Sequence, residues 1–135
     1  MPRQNQTLLI SCIIPAYNAA AYIGDTLKSL LRQTVLPLEI IAIDDNSDDN
    51  TGAIINDLAV KADVTVRLYT HPCNKGASAA RNLGVLKARG NWLLFMDADD
   101  LAEPRLIECA LKRIFELRDK WKRPVVLAYS RVDPL

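Results

Sequence analysis

The chain lacks a disulfide framework. Its three cysteines, Cys12, Cys73 and Cys109, are odd in number and without paired spacing, which argues against stapled loops and a zinc site and for a reducing compartment. Cys12 and Cys109 fall in apolar segments where a thiol acts as a small hydrophobe, and Cys73 falls in a loop. No run approaches the length of about 18 apolar residues that a membrane span needs, and the amino terminus lacks the basic-then-apolar pattern of a secretion signal, so the chain reads as cytoplasmic. A surplus of either charge is lacking too: 17 Lys and Arg against 16 Asp and Glu leave a net charge of +1, with no signature of nucleic acid or of an acidic substrate. The one histidine, His71, precedes Pro72, has no visible metal partners and receives no role. Repeats, low-complexity tracts and linkers are absent as well. What remains is 135 residues, half of them hydrophobic, enough for one globular domain with a core.

Within that domain short apolar runs alternate with helical patterns. Strands are expected at Leu8 to Ile14, Leu38 to Ile43, Val64 to Tyr69, Trp92 to Met96 and Val125 to Tyr129. Between them Tyr22, Ile23, Thr26, Leu27, Leu30 and Leu31 share one helix face, and Ile54, Ile55, Leu58, Ala59 and Ala62 share another. A third helix spans Ala77 to Ala88 and is expected to stop at Gly90; a fourth opens at Pro104 and runs to about Lys120, with Leu106, Ile107, Ala110, Leu111, Ile114 and Phe115 on one face. This alternation implies an α/β fold: a mostly parallel, doubly wound, Rossmann-like sheet of about five strands flanked by helices. Ligands then lie at the carboxyl ends of the strands, near the point where strand order reverses.

The unusual residues fall in those loops. After strand one comes Pro15-Ala16-Tyr17-Asn18, after strand two Asp44-Asp45-Asn46-Ser47, after strand three His71 to Lys75 with Gly76, and after strand four Asp97-Ala98-Asp99-Asp100. Asp-x-Asp lets alternate side chains leave a strand end on the same side, and carboxylates crowded there repel unless a cation lies between them. A hard divalent ion, Mg2+ or Mn2+, suits such oxygen ligands and shares them with water and phosphates. Residue by residue a plainer explanation competes: Asn18 and Ser47 as helix caps, Asp44 and Asp45 as first-turn acids, Asp97 to Asp100 as a cap for the next helix. It does not explain five carboxylates on one rim.

The series Cys12-Ile13-Ile14-Pro15-Ala16-Tyr17-Asn18, Ile43-Asp44-Asp45-Asn46-Ser47, Asn74-Lys75-Gly76 with Ala80-Arg81-Asn82, and Phe95-Met96-Asp97-Ala98-Asp99-Asp100 resembles a family-2 glycosyltransferase of GT-A fold, from about Leu8 to Tyr129. The resemblance implies binding of a nucleoside-diphosphate sugar, such as a UDP-sugar, and inverting transfer to a glycan or lipid-linked acceptor. By that similarity Pro15 and Tyr17 line the base and ribose pocket, and Asp45 accepts from a base imide N–H. Asn74, Lys75 and Gly76 pass near the nucleotide. Arg81 faces the diphosphate or the acidic loop. Asp97 and Asp99 hold ribose and metal, with Asp100 an equal candidate for metal, whereas Asp44 reads as a strand-end structural acid. The family's general base is expected on a later segment, beyond Leu135, so residues 1–135 read as a single, apparently truncated donor-binding domain.

Two other readings compete. A magnesium-dependent phosphoryl-transfer domain also gathers aspartates after its strands, but it wants a lysine at the end of a late strand, where this chain has Ala128-Tyr129-Ser130-Arg131. A non-catalytic relic or partner-binding domain is the other, because fold alone does not guarantee activity. Lys112, Arg113, Arg118, Lys120, Lys122 and Arg123 surround Trp121 as a basic tail, read either as a solvated helix end or as a peripheral contact with the cytoplasmic face of a membrane.

Overall fold

The computed structural model of the chain describes residues 7–121. In chain order the elements are β1 (Ile10–Ala16), α1 (Ile23–Leu31), β2 (Glu39–Asp44), α2 (Thr51–Lys61), β3 (Thr65–Thr70), α3 (Ala77–Lys87), β4 (Trp92–Phe95) and α4 (Leu106–Trp121). The four strands form one parallel sheet in the order β3-β2-β1-β4. Strand order therefore reverses between β1 and β4, and the loops that leave those strands meet at the switch point. The expected fifth strand, Val125 to Tyr129, lies outside the described residues.

β1 and β2 are buried along their whole length, which is why both read as near-continuous apolar runs rather than alternating ones. Their side chains part to two faces. Cys12, Ile14, Ile40 and Ala42 join Ile23, Leu27 and Leu30 of α1, Ile55 of α2 and Ile107 of α4 in the larger core. Ile13, Ile41 and Ile43 meet Ala80 of α3 on the other face. Each isoleucine buried in this way stabilises the fold by about 1.5–3 kcal/mol. α3 approaches closely because Gly84 lacks a side chain: a Cβ there would lie 2.3 Å from Ile13 Cγ2 and 3.0 Å from Ile43 Cδ1.

Four expectations change. Trp92 to Met96, whose unbroken apolar run predicts a buried strand, is covered on one side only: Trp92 and Leu94 pack on the larger core, while Leu93 and Phe95 are exposed, since α3 covers β1 and β2 rather than β4. Gly90 does not stop α3, which ends with Ala88 at its C-cap. Instead the Gly90 N–H donates to Ser11 Oγ at 2.9 Å, and a Cβ at Gly90 would meet the Leu9 carbonyl oxygen at 2.6 Å. Cys109 is exposed, because it follows buried Ile107 by two residues and so points to the far side of α4. Pro15 is a buried strand residue paired with Ile43, not a loop residue.

Candidate functional site

Asp45 follows β2 directly and is 3% exposed. Its N–H donates to the Ala16 carbonyl at 2.8 Å, so the strand pairing continues one residue past β2. Its carboxylate collects the loop after β3: Oδ1 lies 2.7 Å from His71 Nδ1 and accepts from Lys75 N at 2.9 Å, while Oδ2 accepts from Gly76 N at 2.7 Å. Burial pushes the Asp45 pKa up, but these bonds from Lys75, His71 and Gly76 outweigh it and hold the group below the usual carboxylate range. An ionised carboxylate only accepts, so the ring proton of His71 sits on Nδ1. Gly76 adopts φ +88°, a backbone that residues with a Cβ resist. It opens α3, and the side chains of Asn74 and Lys75 stay exposed on the rim.

His71 is the site residue that sequence reasoning missed. The signal lay in strand register: Asp44 pairs with Thr70, so the next residues out, Asp45 and His71, stand side by side.

Asn18 and Ser47 do not cap helices; the residues at those positions are Tyr22 for α1 and Asn50 for α2. They lock the loops after β1 and β2 together instead. Asn18 N donates to Ser47 Oγ at 2.9 Å, and Asp48 N donates to Asn18 Oδ1 at 2.8 Å. Asp44 Oδ1 accepts from both N and Oγ of Ser47, as suits a structural acid at a strand end. Asp49 accepts from Thr51 through one oxygen and from Ala20 N through the other; the Thr51 hydroxyl bond leads in lowering its pKa. Asn18 and Asn46 have positive φ, +48° and +64°, which asparagine tolerates better than most residues with a Cβ. Tyr17, next to Asn18 in sequence, is exposed.

The acidic loop leaves β4 beside β1, where Met96 N donates to the Ile13 carbonyl at 3.1 Å. Ala98 turns into the core while Asp97, Asp99 and Asp100 are exposed, so the alternation expected of Asp-x-Asp is present. Arg81, on α3, donates to Asp97 Oδ1 at 2.8 Å, which joins two motifs that are 16 residues apart. Among the described residues no group of three or more His, Cys, Asp or Glu side chains is gathered so as to hold a metal ion by itself. The donors that the loop presents are carboxylate oxygens open to solvent, a set that fits a hard ion completing its shell with water and phosphate.

Asp44 and Asp45 are both buried and committed to their neighbours, so neither is presented as a phosphate acceptor. Lys112 pairs with Glu108, and Arg113 with Glu116, along α4; Lys122 and Arg123 lie outside the described residues. Among the described residues no helix is long and apolar enough to cross a membrane.

Comparison with known proteins adds four findings. The family profile described as "Glycosyl transferase family 2" matches residues 11–120. An uncharacterized glycosyltransferase of Haemophilus influenzae is 45% identical over 92 residues, covering 68% of this chain and 36% of that protein. S. aureus TarS 1–349 in complex with UDP-GlcNAc superposes with a TM-score of 0.74 at 30% identity, covering 81% of this chain and 32% of that one. The mannosyltransferase PcManGT of Pyrobaculum calidifontis, in complex with GDP-Man and Mn2+, gives a TM-score of 0.70 at 25% identity, covering 78% and 31%. The chain thus spans about a third of the length of these relatives.

Proposed function

The chain belongs to glycosyl transferase family 2, and from that premise we propose that it is the donor-binding part of an inverting, metal-assisted enzyme that moves a sugar from a nucleoside diphosphate to an acceptor hydroxyl. The observation that carries this reading is the convergence of four strand-end loops on one rim, joined by the Arg81–Asp97 and Asp45–His71 pairs. Relatives that bind UDP-GlcNAc and GDP-Man support the nucleotide sugar as ligand. A UDP-sugar remains our first choice of donor.

In this reading Pro15 and Tyr17 bound the pocket for base and ribose. Asp45, held ionised, keeps the loop of Asn74, Lys75 and Gly76 against the rim; the second lone pair of its Oδ2 is the acceptor left for a base imide N–H. Lys75 and Arg81 bring positive charge to the diphosphate. Asp97, Asp99 and Asp100 would hold Mn2+ or Mg2+, which when bound neutralises charge on the departing nucleoside diphosphate. Inversion requires a general base on the opposite face of the sugar to take the proton of the acceptor hydroxyl; we assign that base outside residues 7–121. A cytoplasmic site of action, at the membrane face if the acceptor is lipid-linked, belongs to the same proposal.

The test is calorimetric titration of UDP and of GDP into the chain with and without Mn2+, repeated on Asp99→Ala. Manganese-dependent binding that the variant loses is the expected result. A folded chain that binds neither nucleotide refutes the proposal.

A further inference from the structure

The acidic loop and its continuation, residues 97–105, form neither helix nor strand, so their backbone groups must find partners elsewhere. α1 and the turn that follows it supply them from one polar stripe. Thr26 Oγ1, on a side chain with no exposed surface, donates to the Ala98 carbonyl at 2.7 Å. Ser29 Oγ accepts from Ala102 N at 2.9 Å and donates to the Thr26 carbonyl. Gln33, 5% exposed, donates through Nε2 to the Glu103 carbonyl and accepts through Oε1 from Ile107 N at 3.1 Å. Thr26 and Ser29 lie about one turn apart on α1, and Gln33 follows just past its C-cap, Arg32. Three side chains thus hold four backbone groups that follow them by about 70 residues.

Apolar side chains at these positions would pack against the core at less desolvation cost, so the stripe is accounted for by what it grips. Its grip on the Ala98 carbonyl comes at the one residue of the acidic motif that faces inward, and Asp97 and Asp99 flank it. We infer that Thr26, Ser29 and Gln33 are positioning residues that fix the turn of the acidic loop, so that its exposed carboxylates reach a cation and diphosphate together. The inference rests on the donor-site reading above and adds to it the element that orients the site.

The test compares UDP affinity with and without Mn2+ in the wild-type chain, Thr26→Val, Thr26→Ser and Gln33→Met, with hydrogen exchange followed at the amides of residues 99–103. Loss of the bond to the Ala98 carbonyl predicts a fall of about fivefold to tenfold in the gain that manganese confers on UDP binding by Thr26→Val, and Gln33→Met, which loses its bonds to Glu103 and Ile107, should lose at least as much. Metal-free affinity should change less than about twofold, and Thr26→Ser, which keeps the hydroxyl, should behave as wild type. Exchange at 99–103 should quicken in Thr26→Val. A Thr26→Val chain with the full manganese gain overturns the inference, and so does equal loss of metal-free and manganese-supported affinity, the mark of a merely structural role. If Thr26→Val fails to fold, half-buried Ser29→Ala takes its place under the same criteria. A wild-type chain with no manganese gain refutes the donor-site reading instead; the positioning claim is then decided by exchange alone, and unchanged exchange in the variant overturns it.

Discussion

Asp45→Asn is the substitution that most directly probes how the rim is built. The side chain keeps its shape, but one acceptor oxygen becomes an NH2 donor. In either orientation of the amide, the N–H of Lys75 or that of Gly76, both now bonded to the carboxylate, faces another donor. A buried group left unsatisfied costs about 1–3 kcal/mol, and the surviving bonds also lose the strength that a charged acceptor lends them. The total expected is about 2–4 kcal/mol. The pH dependence has a definite sign. Because the folded pKa of Asp45 is lowered, its contribution is complete above the unfolded carboxylate value of about 4 and is lost as pH falls through the folded pKa. Urea denaturation of both proteins at pH 7, and then at steps below pH 4, measures this. The gap between wild type and variant should be widest at neutral pH and should narrow with acid. A variant within about 0.5 kcal/mol of wild type at pH 7, or a gap that widens with acid, would refute the account of the Asp45 cluster.

Three further outcomes follow from the packing and the rim. Gly84→Ala should destabilise the chain by about 1–3 kcal/mol in urea denaturation despite the gain of about 1 kcal/mol in helix propensity, because the new Cβ falls 2.3 Å from Ile13 Cγ2 in the sheet centre; a stabilised variant would contradict the close approach of α3. Arg81→Gln should shift stability by no more than about 1 kcal/mol, since its bond to Asp97 is exposed, yet it should weaken UDP binding in calorimetry, and undiminished binding would remove Arg81 from the site. In thiol titration with a chromogenic disulfide, Cys73 and Cys109 should react in the native chain. Cys12, buried and with its thiol pKa pushed up to about 12, should react only on unfolding; three fast thiols would mean that β1 is not buried as described.

Periodicity alone determined the alternation of strands and helices, since β1, β2 and α1 each carry a one-face or all-apolar pattern that local sequence displays. It also placed Asp45, Lys75 and Asp97 to Asp100 in the loops that leave the carboxyl ends of strands, because a parallel sheet sends the loops after its strands to one edge. What only the tertiary structure decided depends on which distant residues become neighbours. His71 gains its place from strand register with Asp45, 26 residues away, and Asn18 and Ser47 turn from supposed caps into a bridge between two loops. Gly90 is explained by the backbone it touches rather than by the helix it follows, and Phe95 is exposed because α3 lies over other strands. The stripe of Thr26, Ser29 and Gln33 looks unremarkable along α1 and the turn after it. Its purpose exists only once folding brings the acidic loop against it, because a hydrogen bond needs both partners in place and the sequence displays them one at a time.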